Sequence, residues 1–185
     1  MSTWEDGLRR LYRATPSQDI QSTVINIMRG PADDRSAALA AAAMADTGLM
    51  AGILAVPPQP KGVEALFWAK KAKYPTFDKR IRKATQLGLI GPQTEKNLRV
   101  IRLVRNVFAH AMVEVTFTTP EIVAACHEIV LSPNAQFFVD QESQREIRYR
   151  FCYGCDPVFR GLLGFLARPF IFGTPPIKPS QPILP

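Results

Sequence analysis

"AALAAAAMADTGLMAGILAV", Ala37 to Val56, decides the fold of this 185-residue chain. The stretch has the length of a membrane span, yet it is built mainly of alanine and glycine and carries Asp46 near its middle. A central aspartate costs about 2.5 to 3.5 kcal/mol on insertion scales, and alanine offsets little of that. It therefore reads as a helix buried in a soluble bundle, and no membrane span is expected. A buried carboxylate then needs a partner. A lone buried charge costs several kcal/mol, whereas a paired and hydrogen-bonded one comes close to breaking even.

The partner is sought in RLVRNVFAH, Arg102 to His110. On a helix from Pro92 to about Met112, the residues Leu98, Ile101, Phe108 and Met112 form a buried stripe whose missing member, position 105, is arginine. The expectation is that Asp46 and Arg105 face each other across the core. Asn106 and His110 are four apart and share a face with Arg102. Asp46, Arg105, Asn106 and His110 together then make an internal polar clamp. Arg105 and His110 lie about 140° apart around a straight helix, so a compact site using both needs a second helix or a second subunit.

Outward from these two helices the punctuation is consistently helical. Ser17 can cap a helix carrying Ile20, Val24, Ile27 and Met28, stopped by Gly30-Pro31, and Asp33 and Asp34 sit at the favourable start of the alanine-rich helix. Gly62 to Lys73 reads as a short helix, and Thr76 caps another with Phe77, Ile81, Ala84 and Leu87 on one face and Gly88 at its end. Pro92 is placed at a first helical position. The alternation in VEVTFTT predicts an extended or hairpin insertion near 113–118. Thr119-Pro120-Glu121 opens a helix closed by Ser132-Pro133. REIRYRFCYG alternates like a strand but is read as a helix stopped near Gly154, followed by a last helix capped by Asp156-Pro157, whose apolar stretch suits a membrane surface or a partner's groove but is expected to pack back on the bundle.

At 46% apolar the chain can bury one substantial core, so a single all-α domain is expected: N-terminal helices over 1–30, a helical core over 31–131 and a helical extension over 132–172. Residues 173–185 hold five prolines and should be extended and mobile. Three cysteines make no disulfide framework, and the acids, arginines and proline of the start make no secretory signal, so a cytoplasmic location is expected.

The net charge of +7 is concentrated. Twelve basic residues stand against three acids between Lys61 and Arg105, a local balance of +9. Lys79, Arg80, Arg82, Lys83, Arg99 and Arg102 are the candidates for contact with phosphate, which would make nucleic acid a partner with salt-sensitive affinity. A solvated helical face accounts for the same charge, since charge alone reads no bases.

Two further stretches carry a resemblance. DDRSAALAAAAMADTGLMAGIL (33–54) and YPTFDKRIRKATQLGLIGPQTEKNLRVIRLVRNVFAHAMVEVTFTTPEIVAAC (74–126) resemble the mannitol operon repressor family in order and spacing. The shared elements are Asp34, Arg35 and Asp46, then Phe77, Arg80 and Ile81, then Leu87 to Ile90, and the Ile-Arg-x-x-Arg-Asn-x-Phe-Ala-His run at 101–110. The resemblance covers roughly residues 31–131. It implies an all-helical bundle and a transcriptional regulator that, lacking an obvious helix-turn-helix, acts through protein contacts at least as readily as through DNA.

The Arg-Asn-x-x-x-His spacing is also similar to that of HEPN-type helical nucleases, in which such residues meet their copies across a dimer. That similarity implies a metal-independent endoribonuclease in which His110 acts on the ribose 2′-hydroxyl, Arg105 stabilises the phosphate and Asn106 orients. The competing assignment has Asn106 and His110 satisfying backbone groups.

His127 beside Cys126 can be assembled with Cys152-x-x-Cys155 into a zinc site, but zinc sites usually show two close ligand pairs and only one is present. One core cysteine and two partly exposed ones is the preferred reading, with no metal and no cofactor. A glycine-rich phosphate loop and a Gly-x-Ser-x-Gly elbow are both missing. Trp4 and Trp68 read as packing anchors.

Overall fold

The computed structural model describes residues 26–27, 30, 32–56, 64–67, 71–140, 145–172 and 182–185. The expected helix behind Ser17 therefore lies mostly outside the described residues, as do Trp4 and Trp68. Its described end, Asn26–Ile27, is helical and closes with the Gly30 N–H on the Asn26 oxygen at 2.8 Å.

The chain is an all-α bundle. Its helices are α1 (Asp34–Ala55), α2 (Glu64–Phe67), α3 (Phe77–Gln86), α4 (Pro92–His110), α5 (Pro120–His127), α6 (Pro133–Asp140) and α7 (Glu146–Phe172). Among the described residues there is no strand, only an isolated bridge between Ile90 and Leu184. Residues 113–118, expected to be extended or at most a small hairpin, form an irregular loop held by the Phe117 N–H on the Asp34 carboxylate at 2.8 Å.

α1 is the alanine-rich stretch, capped by Asp33, whose side chain accepts from the Ser36 N–H. By length and composition it would also suit a membrane span. Within the bundle twelve of its residues are buried. Its main neighbour is α7, which runs alongside in the same direction, Asp34 lying near Arg148 and Gly52 near Leu162. Small side chains bring the two backbones together. A Cβ on Gly48 would sit 2.5 Å from the Val158 oxygen and 2.7 Å from the Phe159 Cα. Arg148, itself buried, ties the start of this pair to the preceding turn by donating to the Ala32 and Ile27 oxygens at 2.9 and 2.6 Å.

α7 corrects the expected break at Gly154 to Pro157. Gly154 is a packing residue, since a Cβ there would meet the Ile129 side chain at 2.8 Å. Asp156, instead of capping a new helix, pairs with Arg160 one turn on. Pro157 lies on the exposed side, where a helix can bend away from its missing hydrogen bond. The other correction is at Pro133, which begins α6 rather than merely closing the helix before it. α5 ends at His127, and residues 129–132 run on without helix. Asn97 of α4 holds that run: its amide donates to the Val130 oxygen at 2.8 Å and accepts from the Val130 N–H at 3.1 Å.

α3 and α4 form an antiparallel hairpin around Gly88, whose φ of 70° suits glycine at a helix end. Thr76 caps α3 by accepting from the Lys79 N–H, and Pro92 opens α4. Across the hairpin Thr85 donates to Glu95, and Arg102 lies 3.7 Å from Asp78.

Candidate functional site

α4 buries Thr94, Asn97, Leu98, Ile101, Val104 and Phe108. The apolar seam passes through Val104, not position 105. At 100° per residue Val104 and Arg105 lie about 50° to either side of the middle of the buried face, and the neighbouring helices cover the Val104 side while leaving Arg105 to solvent. Arg105 is exposed, Met112 lies beyond the helix and is fully exposed, and the Asp46–Arg105 pair does not form.

Asp46 pairs instead with Arg80 of α3. Arg80 is 2% exposed and also donates from Nε to the Tyr74 oxygen at 3.0 Å and from Nη2 to the Pro75 oxygen at 3.2 Å. Its guanidinium lies 5.5 Å from the centre of the Phe67 ring, a cation–π contact. Burial pushes the Asp46 carboxyl above its ordinary range, opposed by the charge and hydrogen bond of Arg80 and, less strongly, by the charge of Arg105. Arg80 is therefore a core residue and not a phosphate contact. A signal for it was present in the sequence: it lies three residues after Phe77 and four before Ala84, on the stripe that α3 buries.

The expected internal clamp is thus dispersed. Asp46 belongs to a buried pair, while Arg105 and His110 reach solvent at the surface of α4 and Asn106 is half-buried. Arg105 donates to the Asn106 side-chain oxygen at 3.1 Å, so this pair is positioned at the surface.

The outer face of α4 carries Lys96, Arg99, Leu103, Val107 and His110. Leu103 and Val107, one turn apart, are 57% and 44% exposed. Of the remaining candidates for phosphate contact, Lys79 is exposed and Lys83 lies 5.8 Å from the Tyr74 ring. Arg82 pairs with Asp78 at 2.8 Å and Arg99 with Glu95 at 2.6 Å. The Arg99 hydrogen bond holds the Glu95 carboxyl below its ordinary range, assisted by the Thr85 hydroxyl. Much of the basic segment is therefore partly neutralised by its own acids. At the His110 end an open groove of about 790 Å³ lies between the start of α1 and residues 111–116, with Asp33, Asp34, Met112, Val113 and Glu114 in its lining.

The cysteines also depart from expectation, since all three are buried. Burial pushes the Cys126 and Cys152 thiols up to about 12, and raises that of Cys155 as well. His127 faces solvent while its neighbour Cys126 faces the core, so the four candidate zinc ligands do not converge. Among the described residues there is no cluster suited to a metal ion.

No family model matches this sequence, and neither does any curated protein or solved structure. The class that the coordinates define is an all-α bundle with a basic helical hairpin on its surface.

Proposed function

We propose that this chain is a non-enzymatic helical module of the transcriptional-regulator kind, as its resemblance to the mannitol operon repressor family implies, working through protein contacts made by the outer face of α4. The observation that carries this is the apolar pair Leu103 and Val107, exposed at the middle of a helix face framed by Lys96, Arg99 and His110. Covering the exposed half of each side chain gains roughly half of the about 1.5 to 3 kcal/mol that full burial brings. Lys96 and Arg99 of that frame are already paired with Glu128 and Glu95, so the apolar pair and not charge sets the contact.

The test is retention of host proteins on the immobilised chain. A protein held by the wild type, lost with Leu103→Asp/Val107→Asp and kept with Lys79→Ala on α3 supports the proposal. Equal retention by the double variant, with its fold intact by circular dichroism, refutes it.

One observation favours a second reading. Arg105, Asn106 and His110 are on the surface rather than sealed inside, so they are accessible to RNA. In that reading a dimer brings two such sets together and His110 serves as the general base or acid. Cleavage of single-stranded RNA by purified protein, abolished by His110→Ala without loss of fold, would replace the regulatory proposal. Binding of any duplex that disappears at moderate salt would instead mark the basic hairpin as a non-specific nucleic-acid surface.

A further inference from the structure

The tail was expected to be extended and mobile, but residues 182–185, Pro-Ile-Leu-Pro, are docked along residues 89–91, the turn between α3 and α4. The Ile183 and Leu184 N–H groups donate to the Leu89 oxygen at 3.2 and 3.3 Å. In return the Leu184 oxygen accepts from the Gly91 N–H, and the Pro185 oxygen from the Thr94 N–H, both at 2.7 Å. The Thr94 donor belongs to the first turn of α4, where the helix itself has no acceptor to give it. Two glycines make room. A Cβ on Gly91 would sit 2.8 Å from the Pro185 carbonyl carbon, and one on Gly161 of α7 would sit 3.0 Å from a Leu184 methyl carbon. Leu184 and Ile183 pack against the core, while Pro182 and Pro185 remain exposed.

We propose that the 89–91 edge, with the first turn of α4, is a binding site for extended aliphatic peptides flanked by proline, and that residues 182–185 are its exchangeable occupant. Recognition here has the form of strand addition: main-chain hydrogen bonds hold the peptide and a side-chain pocket selects it. The flanking prolines cost no pairing, because the two peptide donors used are those of Ile183 and Leu184. They also hold the segment extended before it binds, which lowers the ordering cost. What is held is four residues with one well-seated aliphatic anchor, a weak contact for a free ligand. Tethering raises the local concentration of the tail to the order of millimolar. The site is therefore closed to dilute peptides and opens to a partner that presents the same pattern with additional contacts elsewhere.

The experiment uses the full chain and a fluorescein-labelled peptide, Ser-Gln-Pro-Ile-Leu-Pro, of the sequence 180–185. Leu184→Asp frees the site. This variant is expected to bind the peptide at least tenfold more tightly than the wild type by anisotropy, and Gly91→Ala added to it should abolish the gain. A folded Leu184→Asp chain that binds no better than the wild type, or binding that survives Gly91→Ala, overturns the proposal. The wild type provides an independent measurement. Peptide at about ten times the tail's local concentration should move the Ile183 and Leu184 amide resonances to random-coil positions while those of Gly91 and Thr94 stay protected, and unmoved Ile183 and Leu184 resonances would also overturn it.

Discussion

Replacing Arg80 by methionine keeps an aliphatic stem beside Phe67 and removes the guanidinium, leaving Asp46 without its partner and the Tyr74 and Pro75 oxygens without their donor. Breaking a buried pair from one side costs about 3 to 5 kcal/mol. The Asp46 side chain keeps 23% exposure, but its Oδ1 is sealed from solvent without a hydrogen-bond partner, so a loss of no less than about 3 kcal/mol is expected. At about 2 to 4 °C per kcal/mol for a chain of this size, the melting temperature should fall by roughly 6 to 12 °C. The decisive assay is a double-mutant cycle by urea denaturation. Asp46→Leu/Arg80→Met leaves neither charge behind and should lose at least about 2 kcal/mol less than the two single costs combined. Arg105→Ala, which cuts a surface hydrogen bond and the weaker of the two charges acting on Asp46, should stay within about 0.5 kcal/mol of the wild type. Additive single costs, or an Arg105→Ala loss equal to that of Arg80→Met, would refute the assignment of the pair.

Other substitutions probe the remaining architecture. Gly48→Ala sets a methyl against the α7 backbone; overpacking of about 1 to 3 kcal/mol outweighs a helix-propensity gain of about 1, so a thermal melt should show a loss of several degrees, and an unchanged melt would deny the close approach. Asn97→Leu strands the Val130 N–H and carbonyl together and should cost about 1 to 3 kcal/mol in denaturant unfolding. The buried thiols should resist a thiol reagent in the native chain and all three should react after unfolding. Because folding raises the Cys126 and Cys152 pKa values from 9.0 to about 12, their contribution is complete below pH 9 and is lost as pH climbs toward 12, where the unfolded chain alone ionises. Stability of the wild type should accordingly drop more steeply between pH 9 and 11 than that of Cys152→Ala, as measured by chemical denaturation at each pH.

The all-α architecture was legible because its helices are punctuated by residues whose chemistry is local: Asp33 before α1, Thr76 before α3, Pro92 at the start of α4. Tertiary partners were less so. That Asp46 needs a cation follows from desolvation alone, but Arg80 and Arg105 both lie near the edge of a seam, and a shift of one position on a helix separates a core side chain from a surface one. The same register error moved the clamp of Arg105, Asn106 and His110 from the interior to the surface. Pro157 and Gly154 misled because breakers are read as local, whereas packing of α7 along α1 and against Ile129 keeps one helix through them. Docking of residues 182–185 depends on two glycines distant in sequence from the tail, a relation that no periodicity reveals.

The seam between α1 and α7 also bears on how this protein can change over generations. Where the two backbones nearly touch at Gly48, every replacement adds atoms that no neighbouring side chain can be trimmed to admit, whereas Gly52 faces the Leu162 side chain, which can give way. Variation is thus forced outward onto the solvent-facing positions of α1, and a saturation scan would find a narrow intolerant band around Gly48. Invariance along that band, met in descendants of this sequence, would report geometry and not function.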